Sequence, residues 1–289
     1  MSAIVAAPTR SETRTARRER ARLLLRSPTF LIGAAVILLW IVCAILGSRI
    51  TPFDPLFDQS SDVSRPPSTA NLFGTDRLGR DVFSRVIAGS RDILIVAPLA
   101  TMLSTILGTA LGLMTGYFRG VVDDTISRLI DAVLAIPVIV LAVTVVAALG
   151  SRSTWAVTVI IAIVFAPIIA RTVRAAVLGE ARLDYVEAAR LRGERSPYVM
   201  FVEVLPNVMP PILVEATIRL GYAIFAVATL TFIGFGLQPP SPDWAVQIAE
   251  NYQFVDQQWW TVLFPAAAIA SLVVAVNLVS DSVQQVFER

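Results

Sequence analysis

The chain has 289 residues, 55% of them hydrophobic and only 16% charged, with 24 arginines set against 22 acidic residues and a mean hydropathy of +0.69. That balance is too apolar for a soluble domain of this length and marks a polytopic membrane protein. Every cation is arginine and there is no histidine, which excludes a lysine-ending phosphate loop, a histidine-based zinc site and a histidine-dependent catalytic triad. The single Cys43 excludes an intrachain disulfide.

Residues 1–27 form a polar arm carrying Arg10, Arg14, Arg17, Arg18, Arg20, Arg22 and Arg26. Glu12 and Glu19 interrupt the charge, so the arm reads as a positive-inside signal for the following span and not as a transit peptide; attraction to anionic headgroups is the alternative role. Phe30 to Gly47 is apolar throughout and long enough for a first span, since a bilayer core needs about 20 residues. Thr51 to Arg91 follows as an external segment, its first half kept extended by Pro52, Pro55, Pro66 and Pro67. Thr75 or Asp76 can cap a turn there. Val82, Phe83, Val86 and Ile87 then fall on one side of a short amphipathic helix expected to rest on the membrane face.

Ile93 to Met114 is the second span, with Gly108, Gly112 and Gly116 at every fourth position, a stripe that admits a close helix neighbour in this chain or another. Tyr117 to Arg128 reads as an internal loop. Leu129 to Ala148 is the third span, containing Asp131 and a kink-prone Pro137. Asp131, near the span's end, is expected to reach interfacial water or Arg128; lining a pathway is the alternative. Trp155 to Ala170 is the fourth span, with Trp155 at the outer interface and Arg171 and Arg174 closing the inner end.

Residues 184–206 are a polar, arginine-rich island between apolar runs. They read as two short helices broken at Gly193, where a positive φ costs glycine nothing, and Pro206 is expected to redirect the chain. Ala188 and Ala189 favour helix and leave little bulk in the way of a partner surface. The fifth span runs from Pro210–Pro211 to about Gly234. Glu215 and Arg219 stand four apart within it and form an ion pair on one face, a gate contact being the alternative. Trp259 and Trp260 suit an interfacial belt, and Val262 to Val279 is the sixth span. With both termini inside, sixteen arginines lie on the inner side and seven on the outer, Arg219 being within a span; this orientation places the island in the cytoplasm.

Four blocks carry a resemblance to one family. Glu187-Ala188-Ala189, then Gly193, then Leu205-Pro206 resemble the coupling motif of ABC-importer permeases, with Glu203 where that family often has isoleucine. Gly74-Thr75-Asp76, Gly79-Arg80-Asp81 and Ser84-Arg85 resemble a segment of the C-type permease of dipeptide and oligopeptide importers, although Ala97 replaces a glycine further on. Gly234 to Trp244 is similar to that family's outer turn. Asn277 to Asp281 is similar to its close, with Ser280 in place of glycine.

The resemblance implies an all-α fold of six transmembrane helices, the type I ABC-importer permease fold with a cytoplasmic coupling helix. It implies a basic arm at 1–27, a first helix and external segment at 28–90, a permease core at 91–283 and a cytoplasmic tail at 284–289. The expected role is that of a non-catalytic subunit in the bacterial cytoplasmic membrane, forming half of a peptide pathway. The expected partners are a B-type permease, two cytoplasmic ATPase subunits and an external binding protein. No cofactor is expected on this chain, ATP and magnesium belonging to the ATPases. Passage of a nickel chelate or of glutathione is the alternative within the family; an ATP-independent channel or secondary transporter is the alternative outside it. No substrate-binding residue is assigned, because helix rotation decides which side chains line a pathway.

Overall fold

The computed structural model describes residues 23–57, 62–150 and 153–287; the basic arm up to Arg22, Arg152 and the last two residues lie outside the described residues. Nine helices organise these segments: α1 (Pro28–Leu46), α2 (Val82–Phe118), α3 (Gly120–Leu134), α4 (Val138–Leu149), α5 (Thr154–Glu180), α6 (Asp184–Leu191), α7 (Ser196–Phe232), α8 (Trp244–Asn251) and α9 (Trp260–Phe287). Among the described residues there is no strand, only an isolated bridge between Thr75 and Asp81. Among the described residues, helices α1, α2, α5, α7 and α9 are each long and apolar enough to cross a membrane; α3 and α4 pass the same test only together, as a pair bent by 92°, and count as a sixth crossing only if that pair is one span.

Three expectations about boundaries are corrected. The external amphipathic helix does not exist separately: its residues are the first turns of α2, which runs for 37 residues. At 1.5 Å per residue α2 is about 55 Å long, well beyond a hydrocarbon core of about 30 Å, so its ends stand clear of the membrane. Val82, Val86 and Ile87 are buried in the protein and do not lie on lipid. The internal loop at 117–128 shrinks to a break at Arg119, with α3 beginning at Gly120. Finally, Pro206 does not redirect the chain. The backbone widens into a π turn over Val199–Val204, Leu205 N–H donates to the Met200 carbonyl five residues back, and the helix passes through Pro206 into the membrane.

The helix ends follow from local chemistry. Ser27, Asp81 and Ser153 accept from backbone N–H groups at the starts of α1, α2 and α5. Pro137 stands at the corner between α3 and α4, where its missing N–H and fixed φ favour a break. The glycine stripe of α2 finds its neighbour within this chain: a Cβ at Gly108 would meet Ile169 Cβ at 2.6 Å, and one at Gly112 would meet Val173 Cβ at 2.6 Å. Helices α2 and α5 are therefore nearly in backbone contact along their inner halves. Around them packs an outer core that includes Ile93, Ile160, Phe165, Ile224 and Leu272. A second, inner core joins Leu113, Ile169 and Val177 to residues of the island. Helix α1 lies on α9, with Gly33 against the Ala275 carbonyl and Trp40 Nε1 donating to Ser271 at 2.9 Å.

Candidate functional site

At the end of the bundle expected to be the inner one, α6 rises as an eight-residue helix beyond the tip of α5. Val186 and Ala189, three residues apart and therefore on one face, are fully buried in the inner core with Val177, Val199 and Val204. Asp184, Glu187, Ala188 and Arg190 are exposed, and Leu191 is 84% exposed despite being aliphatic. The two alanines thus divide the work. Ala188 lies open, whereas Ala189, expected like it to leave room for a partner surface, is a core residue.

The turn after α6 is a Schellman cap. Gly193 has φ +80°, its N–H donates to the Arg190 carbonyl, and the Glu194 N–H donates to the Ala189 carbonyl. Gly193 is needed for its φ alone, since nothing lies within 4 Å of where its Cβ would be. Leu205 is half-buried against the inner core and Pro206 is exposed.

Polar contacts clamp the island to the bundle. The Tyr185 hydroxyl donates to Glu180 at 2.7 Å and accepts from Asn207 Nδ2 at 3.0 Å. Burial, together with the Glu180 carboxylate, pushes this phenol well above its ordinary value, so it stays a neutral donor. Arg190 lies over the Tyr117 ring at 4.6 Å. Arg192 reaches Glu203 at 3.2 Å across the helical hairpin, which accounts for an acid where the resembling family often has isoleucine. Next to this unit, Arg174 of α5 holds Asp123 of α3 through two hydrogen bonds of 2.6 Å. The bent α3–α4 pair is thereby tied to the rod that carries α6.

The outer block is constructed differently. Gly74 (φ +75°) and Gly79 (φ +77°) bend the chain so that Asp76 N–H donates to the Arg80 carbonyl and Val82 N–H to the Gly74 carbonyl. A side chain at Gly74 would strike the Arg65 carbonyl and the Trp260 indole. Asp76 Oδ1 accepts from the backbone of Leu78 and Arg80, capping the expected turn. Its Oδ2 accepts from Arg80 Nε and Arg85 Nη1, both at 2.7 Å. Both guanidiniums then reach Glu250 of α8, at 2.9 and 3.0 Å, and Arg85 also donates to the Ser241 carbonyl. Asp81 caps α2 through Ser84 and accepts from Asn71, and Thr75 accepts from Arg65 N–H. Asp76, Arg80, Asp81, Ser84 and Arg85 are all buried.

Several contributors to this cluster carry no signal in the sequence. Glu250 lies far along the chain in a short helix that periodicity alone did not single out. Trp260, expected in the interfacial belt, is buried and donates to the Thr75 carbonyl at 3.1 Å; its neighbour Trp259 is exposed. Trp244 is fully buried and donates to the Val86 carbonyl at 2.7 Å, fixing the outer turn to α2. Elsewhere, Glu215 and Arg219 form the expected ion pair at 2.5 Å. Asp131 faces Arg171 at 3.8 Å instead of Arg128, with both side chains largely exposed.

These features define a transmembrane bundle with a polar brace at one end and an open helical elbow at the other. Residues 108–289 match the family described as the binding-protein-dependent transport system inner membrane component, and the chain belongs to that family. Over 262 residues, 89% of this chain and 86% of the relative, it is 38% identical to the di/tripeptide transport system permease protein DppC of Pseudomonas aeruginosa. It is 38% identical over 264 residues to the dipeptide transport system permease protein DppC of Haemophilus influenzae, covering 89% of each chain. It is 37% identical over 269 residues to the dipeptide transport system permease protein DppC of Escherichia coli, covering 91% of this chain and 89% of that one. A chain of the methionine ABC transporter MetNI shares the fold, with a TM-score of 0.58 at 20% identity over 71% of this chain and 97% of the other.

Proposed function

We propose that this chain is one of two permease subunits of an ATP-driven importer for short peptides, and that it couples transport to ATP hydrolysis through α6 and the Gly193 turn. The observation that carries the coupling role is the division of α6. One face is sealed into the inner core, while Glu187, Ala188 and Leu191 present an exposed, mixed apolar and charged surface. A push on that surface is delivered to α5 and α7 directly, because Val186 and Ala189 pack in the same core as Val177 and Val204. The Asp123–Arg174 pair extends the same push to α3. The surrounding complex comprises a B-type permease forming the other half of the pathway, two cytoplasmic ATPase subunits that hold ATP and magnesium, and an external binding protein. This subunit moves and does not catalyse.

The arginine excess on the island side supports an orientation with both termini in the cytoplasm and the Asp76–Arg85 block outside the bacterial cytoplasmic membrane. In that frame residues 1–27 are a cytoplasmic arm, 28–90 an anchoring helix with an external segment, 91–283 the permease core and 284–289 a tail. The naming of the relatives supports peptides as the cargo over a nickel chelate or glutathione. The test is reconstitution of the co-expressed permeases and ATPases in liposomes with the binding protein. ATP-dependent uptake of labelled di- and tripeptides is expected. Uptake without the ATPase subunits, or of nickel chelates only, would contradict the reading.

A further inference from the structure

A groove runs between α1 and α2 at the end of α1 remote from Pro28, and its character changes along its length. One part, a cavity of about 450 Å³, has an apolar floor of Ile41, Ala44, Ile45, Leu94 and Ile95. The adjoining part, about 490 Å³, shares Ala44, Ile45 and Arg91 with the first and adds Arg49 and Asp92. The change falls where α1 ends. Helix α1 closes at Leu46, and the single turn Gly47–Arg49 carries the chain out. Its 19 residues span about 28 Å, close to the thickness of a bilayer's hydrocarbon core, so Arg49 and Arg91 stand at headgroup depth. Among the described residues neither arginine has a carboxylate within ion-pair distance; of the other cations of this end, Arg65, Arg80 and Arg85 have one and Arg77 lies over the Phe254 ring at 3.8 Å. Asp92 meets the Ser241 hydroxyl at 3.3 Å, and the mouth retains a net positive charge.

We propose that this groove holds one phospholipid, with its phosphate between Arg49 and Arg91 and an acyl chain along Ile41, Ala44, Ile45, Leu94 and Ile95. Guanidinium forks match phosphate oxygens, and the floor offers hydrocarbon to hydrocarbon. A partner helix seated here would instead bury two guanidiniums against one carboxylate, an expensive arrangement. The lipid serves as packing for α1, which buries only Gly33 and Cys43 within the chain. The assignment to the outer leaflet rests on the orientation proposed above; the site itself does not.

The experiment uses the complex co-expressed with its partner subunits, purified in mild detergent, washed with a delipidating detergent and analysed by native mass spectrometry and lipid extraction. Wild type should keep phospholipid through the wash. Arg49→Gln/Arg91→Gln should keep about thirtyfold less, given roughly 1 kcal/mol for each arginine near a phosphate surface. Arg49→Lys/Arg91→Lys should keep most of it. Ala44→Trp, which fills the floor and leaves both arginines, should lose the lipid as the double glutamine variant does. Equal retention in all four proteins would overturn the proposal. Displacement of the lipid by inorganic phosphate would overturn it in favour of a free-anion site. Cross-linking of a cysteine at Ile45, in a Cys43→Ser background, to the partner permease would overturn it by showing protein in the groove. A Ser68→Cys probe separates the two readings: labelling from the cytoplasmic side, with the lipid result unchanged, moves the site to the other leaflet and contradicts only the orientation.

Discussion

At one end of the bundle Asp76, Arg80 and Arg85 are 1%, 5% and 1% exposed, with every charge held by another. At the other end Glu187, Ala188 and Leu191 are open, and only the opposite face of their helix is engaged. Both segments are arginine-rich, glycine-punctuated and polar, and in the sequence they look alike. Their burial separates them. The outer block ties the external segment, α2 and α8 into one piece, and a partner surface has no access to the charges of Asp76, Arg80 and Arg85. The inner elbow is half core and half surface, which is what the proposed coupling role requires. A polar motif in a membrane chain therefore marks a brace when its charges are paired and closed off, and a contact when one face stays open.

The largest effect should follow from disturbing the brace. Asp76→Asn leaves Arg80 and Arg85 buried with Glu250 as their one remaining acid, and breaking such a cluster costs about 3–5 kcal/mol. The expected result is loss of the complex from the membrane, measured by quantitative blotting, and a lower melting temperature in whatever is purified. A stable, active Asp76→Asn complex would mean the cluster is not a brace. Next in size is Gly108→Val, which forces a side chain into Ile169 and the Ala166 carbonyl; overpacking of this kind costs about 1–3 kcal/mol. Because the stripe is satisfied within this chain, the variant should destabilise the subunit even when it is expressed without its partner permease.

At the elbow the effects should be selective instead. Gly193→Val places a β-branched residue at φ +80°, a local strain of about 1–3 kcal/mol. The complex should still assemble in the membrane, while ATPase subunits are retained weakly or hydrolyse ATP without peptide uptake. Glu187→Lys should give the same uncoupling with less damage to the fold. Wild-type uptake and retention in both would break the comparison between the two ends.

The last effect, read as a pH dependence, concerns Asp243, the buried cap of α8. Burial pushes its carboxyl from an ordinary 3.8 up to about 7. A carboxyl raised in the folded state contributes stability in full below its unfolded value, and that contribution is lost as pH rises through about 7. Asp243→Asn keeps a capping oxygen and removes the titration. Its melting temperature should fall less than that of wild type between pH 5 and 8, taken here as about the range bracketing the raised value. Parallel pH profiles would show that Asp243 does not titrate in this window.

Much of the fold was legible. Apolar length located α1, α2, α5, α7 and α9, while the expected third span proved to be two helices bent by 92°; Gly193 marked the turn, and the four-residue spacing of Glu215 and Arg219 gave their pair. The failures have physical causes. Hydropathy locates where a helix enters lipid and not where it ends, so α2, α5 and α7 run beyond their apolar stretches. Pro206 was expected to break a helix, but a π turn absorbed the missing hydrogen bond. Asp76 and Arg85 stood out by motif, yet Glu250 and Trp260, which complete their surroundings, are brought in by tertiary contact over some 170 residues. For the same reason Ala188 and Ala189, identical and adjacent, could not be told apart until the direction of the core was known.

That pair offers the most direct measurement. In a Cys43→Ser background of the co-expressed complex, single cysteines at Ala188 and Ala189 are compared for cross-linking to the ATPase subunits with a short bifunctional reagent. The account predicts an ATPase cross-link from position 188 that changes in yield on addition of nucleotide, and none from position 189. No cross-link from position 188, or equal cross-links from both, would contradict the assignment of α6 as the coupling element.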